Sequence, residues 1–85
     1  MTGELMLRQA AALVANRRET YGDPAASMAA VAQRWSITLG QPITPAQVAL
    51  CLIDLKLARL AHQPSHLDSM VDIAGYAAVL REVSP

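Results

Sequence analysis

Two proline-containing pairs, Asp23-Pro24 and Thr44-Pro45, divide this chain into helices. Each pair joins a side-chain oxygen that can accept from a free N–H at a helix start to a proline whose fixed φ suits the first helical turn. Because proline is excluded from a helix interior, any upstream helix must end before the pair. New helices are therefore predicted at residues 24 and 45.

Other breakers complete a set of four helices. Gly40 ends the second, Pro64 closes the third, and Ser65 in "SHLD" is expected to cap the fourth, with Asp68 as its capping-box partner. The runs between breakers are too long and too rich in Ala and Leu for strands. The sequence predicts one all-α domain, a compact four-helix arrangement whose third and fourth helices form an antiparallel hairpin. The helices are expected at about 3–18, 24–39, 45–62 and 66–83 of residues 1–85.

Composition and net charge indicate which classes of partner this chain can bind. Hydrophobic residues make up 53% of the 85 positions, more than the interior of so small a domain can bury. We therefore expect a homo-oligomer, a dimer or tetramer, that buries the rest between protomers. The formal net charge is zero, which favours neither nucleic acid nor an anionic membrane as a partner.

The single cysteine and the first residues indicate a compartment. Cys51 lies in the apolar run "VALCLIDL" and is expected to be a small buried hydrophobe in a reducing environment. The first residues lack the basic and apolar regions of a signal peptide, and no stretch reaches about 20 apolar residues. A cytoplasmic location without membrane association is the expectation.

Charged side chains interrupt the apolar third and fourth helices. At 100° per residue, Lys56 and Arg59 fall within about 60° of each other on the third helix. On the fourth, Asp68, Asp72 and Gly75 share one stripe. If the chain reverses between these helices, the basic stripe comes opposite the two carboxylates.

Two interpretations of this juxtaposition stay open. In the structural one, Lys56 and Arg59 pair with Asp68 and Asp72 and fix the register of the hairpin. In the functional one, the cationic stripe binds phosphate oxygens while the carboxylates hold Mg²⁺ on the same phosphates. Magnesium favours one or two protein carboxylates, with water and phosphate completing its octahedron. Spacing alone does not separate the two.

The segment "RRETYGDP" favours the functional interpretation. It carries charge, an aromatic ring and a glycine between two helices, a setting in which binding residues are common. Tyr21 is suited to stacking on a base, and Arg17 or Arg18 to gripping a phosphate. The alternative is a polar turn in which Asp23 acts only as a helix cap.

These segments together predict a ligand site. His62 either donates to a phosphate or interacts with the C terminus of its own helix, and Tyr76 lies beside the carboxylate stripe. Asp68 and Asp72 are the predicted Mg²⁺ ligands, and no catalytic residue is assigned. The predicted ligand-binding residues are Arg17, Arg18, Tyr21, Lys56, Arg59, His62 and Tyr76.

Three segments in order, "ETYGDP", "ITPAQVALCLIDLKLARLAH" and "HLDSMVDIAGYAAVL", resemble a phage and prophage family of small helical proteins of unknown function. The resemblance spans roughly residues 17 to 82. Its pattern is Tyr-Gly-Asp, then Lys and Arg three apart, then "VDIAGYA". If the chain is phage-encoded, the resemblance implies the cytosol of the host cell.

A wider resemblance is to the all-α nucleotide pyrophosphohydrolases of the MazG and dimeric dUTPase type. That resemblance implies four-helix units that assemble as dimers or tetramers, and Asp72 would correspond to a metal-ligating aspartate. The typical pattern in those enzymes is E-x-x-E on one helix and E-x-x-D on the next. Here Ser69 lies three before Asp72, and the third helix offers Asp54 but no E-x-x-E.

Three functions follow as hypotheses. The first is a nucleotide-binding module at a subunit interface, which in a phage setting would sequester a signalling nucleotide. The second is a Mg²⁺-dependent hydrolase that cuts nucleoside triphosphates between the α and β phosphates. The third is a structural or interaction module without a ligand, in which the charges only set helix register.

Overall fold

The computed structural model describes residues 1–84, and this part of the chain is helical without strands. The all-α prediction of four helices is thereby confirmed. The helices are α1 (Gly3–Tyr21), α2 (Pro24–Leu39), α3 (Pro45–His62) and α4 (Leu67–Val83).

Side-chain caps start α2 and α3 at the two proline-containing pairs. Asp23 Oδ1 accepts from the backbone N–H of Ala25 at 3.0 Å, ahead of Pro24. Thr44 and Gln47 form a reciprocal capping box, with N–O distances of 3.1 and 2.8 Å. The capping box of α3 satisfies two backbone donors that a helix start otherwise leaves unpaired, and the Asp23 cap of α2 satisfies one.

The predicted cap of α4 is wrong by one residue, because His66 rather than Ser65 is the N-cap. His66 Nδ1 accepts from the backbone N–H of Ser69 at 3.3 Å, and Ser69 Oγ lies 2.7 Å from the same nitrogen. Asp68 is therefore not a capping-box partner; it lies exposed in the first turn of α4.

Helix α1 extends to Tyr21, three residues beyond the expected end at Arg18. Nothing in "ETY" breaks a helix, since the first residue that must leave helical geometry is Gly22, at φ 84° and ψ −159°. This extension places Tyr21 in the last turn of α1 instead of in a loop.

Helix α4 lies at the centre of the packing, because α1, α2 and α3 all contact it. Its most extensive contacts are with α3. Helix α1 packs mainly on α4. The core is built from small side chains, so the helices approach closely but bury little apolar volume. The buried residues are Ala10, Ala32, Val48, Ala49, Ser69 and Val71.

Much of the apolar surface stays accessible. Cys51 is exposed on α3, contrary to the expectation that it is buried. Three leucines of the same helix, Leu50, Leu55 and Leu57, are each about half exposed, at 49%, 50% and 49%. None of the helices formed by residues 1–84 is both long and apolar enough to cross a membrane.

Candidate functional site

A cleft of about 220 Å³ opens between α1, α2 and α4. Helix α1 forms one wall, α4 forms the opposite wall, and the start of α2 closes one end. The apolar part of the lining comes from all three helices. The lining residues are Ala10, Leu13, Val14, Arg17, Tyr21, Gly22, Pro24, Ser27, Met28, Val71, Asp72, Gly75, Tyr76 and Val79.

Four of the predicted site residues line this cleft. Arg17 and Tyr21 come from the last turns of α1, and Asp72 and Tyr76 come from one face of α4. The i, i+4 spacing within each pair places both members on the same side of their helix. Residues more than fifty positions apart in the sequence thus share one surface.

Close approach of α1 and α4 occurs at Gly75. A Cβ built on Gly75 would lie 3.7 Å from Cγ2 of Val14, so at this point α4 meets the side chain of Val14 with no side chain of its own. Gly75 also lines the cleft, one turn from Asp72. The glycine of the carboxylate stripe therefore lies where α1 and α4 meet at the cleft.

Lys56 reaches the cleft indirectly, through Asp72. Its Nζ lies 3.0 Å from Oδ2 of Asp72, and the two side chains are 13% and 27% exposed. This ion pair joins α3 to α4 and neutralises the one carboxylate that residues 1–84 contribute to the lining. The pairing predicted between the basic stripe and the carboxylates thus occurs at Asp72.

Arg18 is turned away from the cleft. Its Nη2 donates to both carboxylate oxygens of Glu82, at 2.6 and 2.8 Å, and its Nη1 lies 3.9 Å from Oδ1 of Asp23. The hydrogen bond to Glu82, and then the charge of Glu82, raise the pKa of the Arg18 guanidinium. Of the two adjacent arginines, only Arg17 lines the cleft.

Arg59 and His62 lie at a different surface. Together with Leu55, Ala58, Gln63 and His66 they line a shallow depression at the end of α3. Within residues 1–84, Arg59 makes no ion pair with Asp68 or Asp72. The predicted ligand-binding set is therefore divided. Arg17, Tyr21 and Tyr76 line the cleft, Arg59 and His62 line the depression, and Arg18 and Lys56 line neither.

The predicted metal ligands differ in environment. Asp72 lines the cleft beside Lys56, whereas Asp68 is exposed and belongs to neither the cleft nor the depression. The part of the chain that the structure describes contains no group of three or more His, Cys, Asp or Glu side chains arranged to hold a metal ion.

The lining includes residues of α2 that the sequence analysis did not single out. Ser27 and Met28 follow Pro24 within the first turns of α2 and close one end of the cleft. The Asp23 cap indicated that α2 begins close to the last turn of α1. What the sequence did not reveal is that this first turn faces the cleft.

Comparison with known proteins gives relatives in mycobacteriophages. The chain is 40% identical over 68 residues to the Gene 55 protein of Mycobacterium phage L5, covering 79% of this chain and 44% of that protein. It is 32% identical over 81 residues to the Gene 55 protein of Mycobacterium phage D29, covering 94% of this chain and 54% of that protein. The chain thus spans about half the length of these relatives.

No solved structure matches the chain. A domain family of unknown function, DUF6378, matches residues 5–84, which includes all four helices apart from the first residues of α1. The expectation of a phage-type family of unknown function is confirmed by this match and by the mycobacteriophage relatives. This protein belongs to the DUF6378 family.

Proposed function

We propose that this protein binds a nucleotide, or a similar phosphate-bearing small molecule, in the cleft between α1, α2 and α4. One observation carries the proposal. Arg17, Tyr21, Asp72 and Tyr76, which lie in two distant sequence segments, line the same cleft. A guanidinium, two phenols and a carboxylate in one apolar recess are polar groups that can bind the phosphate, the sugar and the base of a nucleotide.

The size of the cleft limits which part of the ligand it holds. Pockets for complete small molecules have volumes of about 300–1,000 Å³, whereas this cleft has about 220 Å³. It suits a base or a sugar and leaves the phosphates at the mouth. Val14, Val71 and the open side of Gly75 offer apolar surface to a flat ring.

Asp72 is suited to recognising the base. Its Oδ2 is held by Lys56, and Oδ1 can accept from a ring N–H or an exocyclic amine. Because Lys56 fixes the carboxylate, little side-chain entropy is lost when a ligand binds. Tyr76, one turn away, adds an aromatic face and a hydroxyl.

Arg17 and Tyr21 are suited to the exposed part of the ligand. Tyr21 is 76% exposed, so a stacked ring would cover surface that now faces water. Arg17 lies one turn earlier on α1 and lines the same cleft. A guanidinium binds phosphate oxygens through two parallel N–H donors, which fixes the orientation of the phosphate.

Binding is proposed rather than hydrolysis because Asp72 already carries a cationic partner. The Lys56 ammonium at 3.0 Å supplies the positive charge that Mg²⁺ would otherwise bring to this carboxylate. Magnesium at Asp68 and Asp72 stays a prediction that the binding proposal does not require. Pyrophosphate release in the presence of Mg²⁺ or Mn²⁺ would favour the hydrolase instead.

We also propose that α3 and α4 form the antiparallel hairpin expected from the sequence. Lys56 lies six residues before the end of α3, and Asp72 lies five residues after the start of α4. An ion pair at matching distances from the link supports an antiparallel α3–α4 hairpin. The proposed MazG-type relationship has the all-α, four-helix architecture as its support.

The test is a binding screen on the purified protein. Nucleoside mono- and triphosphates, cyclic nucleotides and NAD-derived nucleotides are tested by thermal shift, each with and without Mg²⁺, and hits are titrated by calorimetry. A ligand at 100 times its Kd should stabilise the fold by about 2.7 kcal/mol. Absence of any shift across the whole panel would overturn the proposal.

Two variants distinguish binding in the cleft from nonspecific effects of charge. Arg17→Ala should weaken binding about tenfold or more, since a charge-assisted contact contributes about 1.5–3 kcal/mol. Arg8→Ala removes the same charge from an exposed position of α1 outside the cleft and should leave affinity unchanged. Equal losses in both variants would indicate binding elsewhere.

A further inference from the structure

The chain exposes more surface than a compact domain of its size. Its accessible area is 5839 Å², whereas a folded monomer of 9.1 kDa exposes about 4,900 Å². Its radius of gyration is 13.6 Å, against about 12 Å for a globular chain of 85 residues. The isolated chain is therefore more open than a monomer of this length.

The surplus area is close to the area that one protomer contributes to an interface. A stable interface of standard size buries about 800 Å² per partner, and the surplus here is roughly 900 Å² by the same scaling. Packing against a second copy of this chain would bury an area of that size. Five buried apolar residues, none larger than valine, give the isolated fold little interior of its own.

The outward side of α3 offers such a partner a set of exposed apolar residues, with Asp54 and His62 on the same side of the helix. We define the outer face of α3 as six exposed residues that fall within about 160° of the helix circumference. They recur at spacings of three, four and seven, as in helices that pack along a seam. The six are Leu50, Cys51, Leu55, Leu57, Ala58 and Ala61.

We propose that the outer face of α3 is the interface of a homodimer, in which α3 of one copy packs on α3 of a second copy. A two-fold pairing brings the same patch together from both subunits, so one apolar face suffices. Charge distribution favours an antiparallel arrangement. Asp54 is exposed on the same side of α3, and a parallel pairing would set the Asp54 carboxylates of the two copies level with each other. In an antiparallel pairing centred on residues 55 and 56, Asp54 lies opposite Leu57 of the other copy, within one turn of its Arg59.

This inference is independent of the proposed nucleotide site. The outer face of α3 shares no residue with the lining of the cleft, so each proposal can fail without the other. The dimer accounts for the exposure of Cys51 and of three half-exposed leucines on one helix. Soluble monomers rarely expose apolar patches of several hundred Å² unless the patch is functional.

The decisive measurement is the mass in solution. Sedimentation equilibrium of the wild-type chain over a range of concentrations should give twice the 9.1 kDa chain mass. Leu57→Glu places a charge in the outer face and should yield the monomer. The matched variant Ile37→Glu introduces the same charge at an 80% exposed position of α2 and should leave the dimer intact, and circular dichroism should show both variants folded.

Cys51 provides a second readout that needs no loss of folding. Its thiol should react with a disulfide reagent several-fold more slowly at concentrations that favour the dimer, and this protection should disappear in Leu57→Glu. A wild-type chain that is monomeric at every concentration would overturn the proposal. A dimer that survives Leu57→Glu with Cys51 still fully reactive would overturn the choice of face.

Discussion

The ammonium of Lys56 lies 3.0 Å from the carboxylate of Asp72 and connects α3 to the wall of the cleft. The Arg18–Glu82 contact is shorter, at 2.6 Å, but its side chains are 45% and 37% exposed, against 13% and 27% for Lys56 and Asp72. Water screens the exposed pair more strongly, so the longer contact has the larger effect on the fold.

A double-mutant cycle should detect this difference. Lys56→Met leaves the half-buried Asp72 without its cation and should lower the free energy of unfolding by about 2 kcal/mol. Asp72→Asn in the same background should lower it much less than in the wild type, which gives a coupling of about 1–2 kcal/mol by urea denaturation. Additive losses would show that the pair contributes nothing beyond its separate side chains.

Gly75 should be replaceable by alanine with a gain in stability. Its added Cβ would make an ordinary contact with Val14 Cγ2 at 3.7 Å, and alanine is favoured over glycine in a helix by about 0.8–1 kcal/mol. Thermal denaturation of Gly75→Ala should therefore show a higher Tm. A lower Tm would mean that α1 and α4 approach more closely than the structure has them.

A larger side chain at Gly75 should block ligand binding. Methionine at this position would extend into the cleft that Gly75 lines. The matched variant is Ala77→Met, on an exposed position of the same helix. Loss of nucleotide binding in Gly75→Met alone, with both variants folded, is the expected outcome.

The helix starts at residues 24 and 45 could be predicted because the information is local. Asp23 and Thr44 act on backbone groups two or three residues away, and the following prolines exclude other geometries. The start of α4 was misplaced because an imidazole nitrogen took the capping role. Ser65 has the usual capping hydroxyl, but His66 is the residue that the nearby Ser69 contacts.

The site was predicted only in part, because its members depend on which helix faces meet. Arg17 and Arg18 are adjacent in sequence and point about 100° apart on α1, so one lines the cleft and the other meets Glu82. Lys56 and Arg59 are separated by about 60° on α3. That angle suffices to pair Lys56 with Asp72 and to leave Arg59 at another surface.

The imidazole cap of α4 should contribute measurably to stability. His66→Ala removes the acceptor for the backbone N–H of Ser69 and should cost about 1 kcal/mol, the usual value for loss of an N-cap. His66→Asn retains an acceptor at this position and should recover most of the loss in chemical denaturation. Equal destabilisation by both variants would assign the contribution to imidazole packing instead.

Gly22 should tolerate no other residue without a change at the cleft. Its φ of 84° and ψ of −159° lie in a region that only glycine enters readily. No atom lies within 4 Å of an added Cβ, so the cost of Gly22→Ala, about 1–3 kcal/mol, comes from the backbone alone. Because Gly22 directly follows Tyr21 in the short link between α1 and α2, relaxation of that strain should also move Tyr21 and weaken ligand binding.

Gly40 provides the matched control for Gly22. It also has a positive φ, 68°, but its ψ of 28° lies in the left-handed helical region that asparagine enters. Gly40→Asn should therefore cost less than Gly22→Asn in urea denaturation, and it should leave ligand affinity unchanged because Gly40 does not line the cleft. Equal costs at the two positions would show that the turn at Gly22 adopts another conformation in solution.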